Sequence, residues 1–133
     1  MSERPLKPAG SWRILVAEDE PHIGRLLLLL LEAAGFQVSL ATNGEGALEL
    51  LRAEGTLDLA LLDLMLPGMD GLGVLTQLRQ LPHRQTLPVI VLTAKGEEAD
   101  REEALALGAD AFVTKPFSPK KLLHQIDALL RPH

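Results

Sequence analysis

Leu59-Ala60-Leu61-Leu62 runs without a polar residue into Asp63, and a Pro67-Gly68 turn follows shortly after. A run that is apolar on both alternating faces suits a strand buried on both sides, as in a parallel sheet covered by helices. An acid just past such a strand stands at its carboxyl end, where open α/β sheets place their ligands. Taken alone, Asp63 is equally well read as the first residue of a turn, a common place for Asp. What the other strands carry decides between the two.

The pattern recurs along the chain. Trp12-Arg13-Ile14-Leu15-Val16-Ala17 is a β-rich run closing on Glu18-Asp19-Glu20, and Pro21 stands where a first helical residue would, behind acids that suit the helix dipole. This helix is predicted to reach about Ala34 and stop at Gly35. Phe36 to Ala41 reads as a second strand. Asn43-Gly44 then turns the chain into a helix bearing Ala47, Leu48, Leu50 and Leu51, which ends near Gly55. Asp58 to Leu62 is the third strand, and Gly71 to Leu81 an amphipathic helix stopped by Pro82. Val89 to Leu92 is the fourth strand, Glu97 to Leu107 an acidic helix closed by Gly108, and Ala111 to Thr114 the fifth strand. Ser118 as N-cap and Pro119 at the first helical position start a last helix, expected to run to about Arg131. Five strands alternating with five helices across short loops predict a doubly wound five-stranded parallel sheet, helices on both faces.

With 133 residues and no internal repeat, the chain is read as one domain. Residues 1–11, polar and Pro-rich, are expected to be a flexible leader, 12–131 the domain and 132–133 a tail. The absence of Cys excludes disulfides, a thiol nucleophile and thiolate metal sites. It also fits a cytoplasmic setting, which is the expectation. A net charge of −5 argues against direct nucleic-acid binding. Trp12, Phe36, Phe112 and Phe117 are too few for a base-stacking platform. The longest apolar run, Leu26 to Leu31, falls far short of the ~20 residues needed to span a bilayer.

The carboxyl ends of the strands carry the chemistry. The first strand ends in Glu18 and Asp19, the third in Asp63, the fourth in Thr93 and the fifth in Lys115, while the second offers only Thr42 and Asn43. In a 2-1-3-4-5 order the first and third strands are neighbours at the switch point, which gathers Glu18, Asp19 and Asp63 in one crevice. Three carboxylates repel one another unless a cation sits among them, and hard oxygen ligands point to Mg²⁺ or a similar ion. A hydroxyl from Thr93 and an ammonium from Lys115 complete a site suited to a phosphoryl group.

These residues carry a resemblance. Val16-Ala17-Glu18-Asp19-Glu20, Leu62-Asp63-Leu64-Met65-Leu66-Pro67-Gly68-Met69-Asp70-Gly71, Leu92-Thr93-Ala94 and Lys115-Pro116-Phe117 stand in the order and at the intervals of a response regulator receiver domain of two-component signal transduction. The chain resembles that family from about Arg13 to Arg131. The resemblance implies a flavodoxin-like receiver fold and a signalling switch, not an enzyme acting on many substrates. By it, Asp63 takes a phosphoryl group from a sensor histidine kinase or a histidine phosphotransfer protein. Asp19 and Asp63 bind Mg²⁺ with the Met65 carbonyl, Glu18 helping through water. Thr93 and Lys115 hold the phosphoryl oxygens beside the Ala94 N–H, and a cis peptide bond precedes Pro116. The switch residues are Thr93 and Phe112. Phe112, lacking a polar tip to solvate, is expected to be largely buried even without phosphate.

Two rival readings are a pseudo-receiver, a binding module without the chemistry, and a phosphatase of the haloacid-dehalogenase type. Joint retention of Glu18, Asp19, Asp63, Thr93 and Lys115 speaks against the first. The second normally has an acid two residues after its nucleophile, where this chain has Met65. Two surfaces depart from the ordinary pattern. With Ile23 as the middle of the buried face, Leu26, Leu27, Leu30 and Ala34 should point inward. Leu28 and Leu29 then point out, as an extension of the surface with which the family's first helix docks on a kinase. On the fourth helix, fifth strand and fifth helix, Arg101 and Asp110 match the winged-helix DNA-binding subfamily. Ala111, Lys121 and Gln125 do not, which disfavours that subfamily's dimer and leaves any other homodimer open. The output partner or output domain is not named by these residues. His22, beside the acidic cluster, reads as solvated rather than as a ligand.

Overall fold

The computed structural model describes residues 12–94 and 98–130. The expected leader and tail, the expected start of the acidic helix at Glu97 and the end of the last helix at Arg131 lie outside the described residues. Five strands, β1 (Arg13–Ala17), β2 (Gln37–Ala41), β3 (Leu59–Asp63), β4 (Val89–Thr93) and β5 (Ala111–Thr114), form one sheet. All pairings are parallel, in the order β2-β1-β3-β4-β5 expected from the sequence. Between them run α1 (Pro21–Ala33), α2 (Gly44–Arg52), α3 (Gly71–Leu78) and α4 (Glu98–Ala106), with α5 (Pro119–Leu130) after β5.

β3 and β4 are buried at every position, as unbroken apolar runs at the centre of a covered sheet should be. Alternate residues feed two separate cores. Leu15, Ala60, Leu62, Val89 and Val91 pack with α2 and α3, whereas Ile14, Val16, Leu59, Leu61, Ile90 and Leu92 pack with α1 and α5. Asp63 is the last residue of β3 and not the first beyond it, and the strand begins at Leu59 because Asp58 is otherwise engaged. Its Oδ2 accepts a hydrogen bond from the Arg13 N–H at 2.8 Å, tying the start of β1 to β3.

The helix ends follow local chemistry. The Glu20 carboxylate caps α1 by accepting from the backbone N–H groups of His22 and Ile23, and Gly35 takes φ +97° just past its end. Asn43 and Asp70 cap α2 and α3 through the Gly46 and Gly73 N–H groups. α3 stops at Leu78, earlier than its periodicity predicts, and a short 3-10 turn spans Pro82–Arg84. Arg84 explains that turn. It is buried, and its guanidinium donates to the carbonyls of Leu51, Ala53 and Gly55, satisfying the end of α2 from a distant part of the chain.

The inward face of α1 differs from expectation. Gly24, Leu27 and Leu31 are the buried residues, while Leu26 and Ala34 are exposed, Ile23 and Leu30 half-buried, and Leu28 half-buried too. The helix is rotated so that Gly24 faces the Leu40 side chain, 3.6 Å from an ideal Cβ position, an ordinary packing distance. Leu29 does point outward, as expected.

Candidate functional site

At the carboxyl edge of the sheet, β1 delivers Glu18, β3 Asp63 and β4 Thr93, all buried. Asp19 is exposed at the mouth. Parallel register brings them together: Ala17 pairs with Leu62, so Glu18 and Asp63 follow side by side, and Asp63 pairs with Leu92, one residue before Thr93. One carboxylate oxygen from each of Glu18, Asp19 and Asp63 lies within 4.8 Å of the others. Lys115 comes from the end of β5, on a backbone whose N–H donates to the Thr93 carbonyl at 2.7 Å. The Lys115–Pro116 peptide bond is cis.

Lys115 Nζ donates to Glu18 Oε1 at 2.6 Å and to Asp63 Oδ2 at 2.9 Å. The other oxygen of Asp63 accepts the Met65 N–H at 2.9 Å, and the other oxygen of Glu18 accepts the Glu20 N–H at 3.1 Å. Both acids are therefore held by one ammonium and one backbone donor each. Burial pushes the Glu18 carboxyl above its ordinary 4.5; Lys115 pulls it down, and Asp63 adds to the rise. For Lys115 burial works against the ammonium, but the hydrogen bonds and charges of Glu18 and Asp63 outweigh it and leave the group above its ordinary 10.5.

Three carboxylates against one ammonium leave an excess of two negative charges when all are ionised. The donor set is all oxygen, with neither His nor Cys, and suits a hard divalent cation. The fit is good on chemistry as well as charge, since Asp19 keeps an exposed carboxylate at the mouth.

A family model described as the response regulator receiver domain matches residues 14–127. The chain belongs to that family. As a receiver domain it is 49% identical over 118 residues to the transcriptional regulatory protein SrrA of Staphylococcus aureus, an alignment covering 89% of this chain and 47% of SrrA. It thus spans about half the length of the curated relatives it matches. Among solved structures it resembles the receiver domain of the Francisella response regulator 1452, with a TM-score of 0.84 and 30% identity, covering 91% of this chain and 98% of that one. It also resembles the receiver domain of a Pseudomonas aeruginosa sensor histidine kinase described with a magnesium ion coordinated in its active site cleft. There the TM-score is 0.83 and the identity 28%, over 90% of this chain and 97% of that one.

Phe112 of the receiver domain is half-buried, so the expectation of a largely buried ring is met only in part. β5 is an edge strand, and among the described side chains of α4 only Ala104 is buried. The ring packs against the core on the α2–α3 side of the sheet and also borders a hollow of about 870 Å³ along β5 and α5. Met65, two residues after Asp63, is 54% exposed and puts no acid at that position.

Two glycines that sequence reading took for turn or helix-start residues shape the site. A Cβ on Gly71 would lie 2.3 Å from the Asp63 carbonyl oxygen, and one on Gly44 2.0 Å from the Met69 carbonyl oxygen. The loop from Leu64 to Asp70 is packed at both ends against bare backbone, with Gly68 at φ +80° between. The sequence signal was a Gly directly after each capping residue, Asn43 and Asp70, where a helix gains nothing from Gly.

Proposed function

We propose that this receiver domain is a phosphoryl-accepting switch of a two-component or phosphorelay system, with Asp63 as the acceptor. The carrying observation is the Lys115 ammonium bridging Asp63 and Glu18 inside a cluster of three acids at the carboxyl edge of the sheet. In the reaction, an Asp63 carboxylate oxygen forms a bond to phosphorus as the P–N bond of a donor phosphohistidine breaks. The imidazole leaves with that electron pair. Asp63 is positioned for this by the Met65 N–H and by Lys115. Lys115, already beside the attacking group, neutralises charge on the transferred oxygens, and Thr93 at the end of β4 offers a hydroxyl to them.

Glu18, Asp19, Asp63 and the Met65 carbonyl are the residues that would hold Mg²⁺. Bound there, the ion supplies positive charge to the phosphoryl oxygens. The donor is a sensor histidine kinase or a histidine phosphotransfer protein, and we place the exchange in the cytoplasm. Among the described residues no helix is long and apolar enough to cross a membrane. Domain limits of 12–131 remain part of this proposal, as does an output acting through α4, β5 and α5 with Thr93 and Phe112 as the responding residues.

A dimer of the winged-helix type on that face is disfavoured. Arg101 and Lys121 are exposed like charges. Asp110 Oδ2 is engaged internally, accepting the Val89 N–H at 2.8 Å and lying 3.5 Å from Arg79. Incubation with Mg²⁺ and acetyl phosphate, followed by intact-protein mass measurement, tests the function. The expected result is a gain of one phosphoryl group that Asp63→Asn abolishes. No gain would identify a pseudo-receiver, and steady donor turnover without labelled protein a phosphatase.

A further inference from the structure

Among the described residues, the anchorage of α4 is concentrated at its C-terminal end. Arg101, Glu102, Glu103, Leu105 and Ala106 are exposed, and the small side chain of Ala104 is the buried one. Just past the helix the picture reverses. Leu107 packs half-buried on the α2–α3 core, and Ala109 is buried in it. Between them Gly108 takes φ +104°. Its N–H donates to the Leu105 carbonyl at 3.1 Å, and the Ala109 N–H donates to the Ala104 carbonyl at 3.0 Å. This pair of bonds closes a helix on a left-handed glycine.

Arg79, the residue after α3, holds that glycine. Its Nη2 donates to the Gly108 carbonyl at 2.6 Å and lies 3.5 Å from Asp110 Oδ2. Its Nη1 donates to the carbonyls of Leu87 at 2.7 Å, Arg84 at 3.1 Å and Gln85 at 3.3 Å, all in the turn before β4. A rigid, planar fork serves both segments at once, which the single ammonium of a lysine does not. A Cβ on Gly108 would lie 2.8 Å from Arg79 Nε, so the glycine makes room for the guanidinium as well as for the left-handed turn. Asp110 adds a second tie: its N–H donates to the Val89 carbonyl and its Oδ2 accepts the Val89 N–H, both at 2.8 Å. The turn after α4 is thus joined to the end of α3 and to the start of β4, while the helix itself lays one small side chain on the core.

We propose that Gly108 is the hinge of α4 and that Arg79 is the positioning residue that fixes it, so that the helix swings about its C-terminal end while that end stays on α3. On the reading of Asp63 as the phosphoryl acceptor, phosphorylation drives the swing. From Gly108 to the first residue of the helix is about 15 Å, so a rotation of about 10° carries the far end by about 3 Å and leaves the turn in place. A lightly packed helix on a firmly tied turn concentrates the movement at one end.

Amide hydrogen exchange of the full chain, read residue by residue by NMR with and without Mg²⁺ and acetyl phosphate, tests this. In the unphosphorylated wild type, protection at residues 107–109 should exceed that at 102–104 by about tenfold or more. Phosphorylation should change protection at 102–104 and leave 107–109 within about twofold. Arg79→Lys, which keeps the charge but not the fork, should lower protection at 107–109 about tenfold and let the response to phosphorylation reach them. Gly108→Ala should do the same from the other side of the contact. The Ala60 amide, bonded to the Pro88 carbonyl within the sheet, should be unaffected in both variants. Even protection along α4, a wild-type response as large at 107–109 as at 102–104, or protection at 107–109 untouched by Arg79→Lys would each overturn the hinge. So would an equal loss at Ala60, which would mean a general loosening of the fold. If acetyl phosphate adds no mass to the protein, the acceptor reading falls, and the unphosphorylated comparison of wild type with Arg79→Lys still decides the hinge.

Discussion

Replacing Lys115 with Met keeps the side-chain stem and removes the one cation that two buried acids share. Lys115 Nζ lies 2.6 Å from Glu18 Oε1 and 2.9 Å from Asp63 Oδ2. Only 1% of Glu18 and 3% of Asp63 is exposed, so water screens neither well. Removing one partner of a buried ion pair costs about 3–5 kcal/mol, because the remaining charge is left uncompensated. The Lys115 side chain is itself 14% exposed, and water can enter where it stood, which brings the expectation to the lower end, about 3 kcal/mol. For a domain of this size each kcal/mol moves the midpoint by roughly 3–5 °C, so Lys115→Met should melt on the order of 10 °C lower in EDTA. Mg²⁺ should restore part of the loss, since a ligand at a hundred times its dissociation constant adds about 2.7 kcal/mol. Adding Asp63→Asn to Lys115→Met should raise the midpoint in EDTA by relieving the repulsion with Glu18. Calorimetry of the wild type, both single variants and the double variant measures each step and the coupling between the two sites. A Lys115→Met midpoint in EDTA within ~2 °C of the wild type would refute the reasoning, because the acids would then not depend on the ammonium.

Arg84→Ala should cost about 3 kcal/mol in urea unfolding, since it strips donors from three carbonyls at and beyond the end of α2; Mg²⁺ affinity should not change, and a loss under ~1 kcal/mol would mean that water serves those carbonyls equally well. Gly71→Ala should force the Asp63 backbone to move, because its Cβ would meet the Asp63 carbonyl at 2.3 Å; Mg²⁺ binding by calorimetry should weaken about tenfold or more, and wild-type affinity would show that the loop yields without disturbing the acids. The raised Glu18 carboxyl fixes a sign for pH. The folded state holds this proton more tightly than the unfolded chain, so its stabilising effect is full below about 4.5 and is lost as pH rises through the folded value. Mg²⁺ competes with the same proton, so its affinity should fall as pH is lowered through that window, and Glu18→Gln should flatten the profile. An equally steep profile in Glu18→Gln would move the effect to another acid.

The sheet was readable because its strands leave little choice. Val89 to Leu92 offers no polar face to solvent, so it belongs at the centre of a covered sheet. Once β1 and β3 are neighbours, Glu18 and Asp63 must meet. Lys115 was readable for the same reason, as a cation at the end of a strand in the same sheet. The face of α1 was not, because six consecutive leucine-type positions from Leu26 to Leu31 give no polar residue to mark the outside. The fold turns Gly24, Leu27 and Leu31 inward instead. Arg84 on the end of α2, Asp58 on Arg13 and Asp110 on Val89 act on partners far along the chain. Local sequence holds no trace of such pairs before the fold exists. Phe112 is more open than its apolar ring alone predicts because β5 is an edge strand and the ring borders the hollow along β5 and α5.

The bare backbone at Gly44 and Gly71 has a consequence for genetics. Neither residue has a side chain to contribute to any reaction. Yet each is the surface against which the loop after Asp63 is moulded, at Met69 and at Asp63 itself. A random screen for strains deaf to the signal should therefore return changes at these two glycines alongside those at Asp63. Such alleles would yield a folded protein with every acid intact, and their defect would be of shape alone.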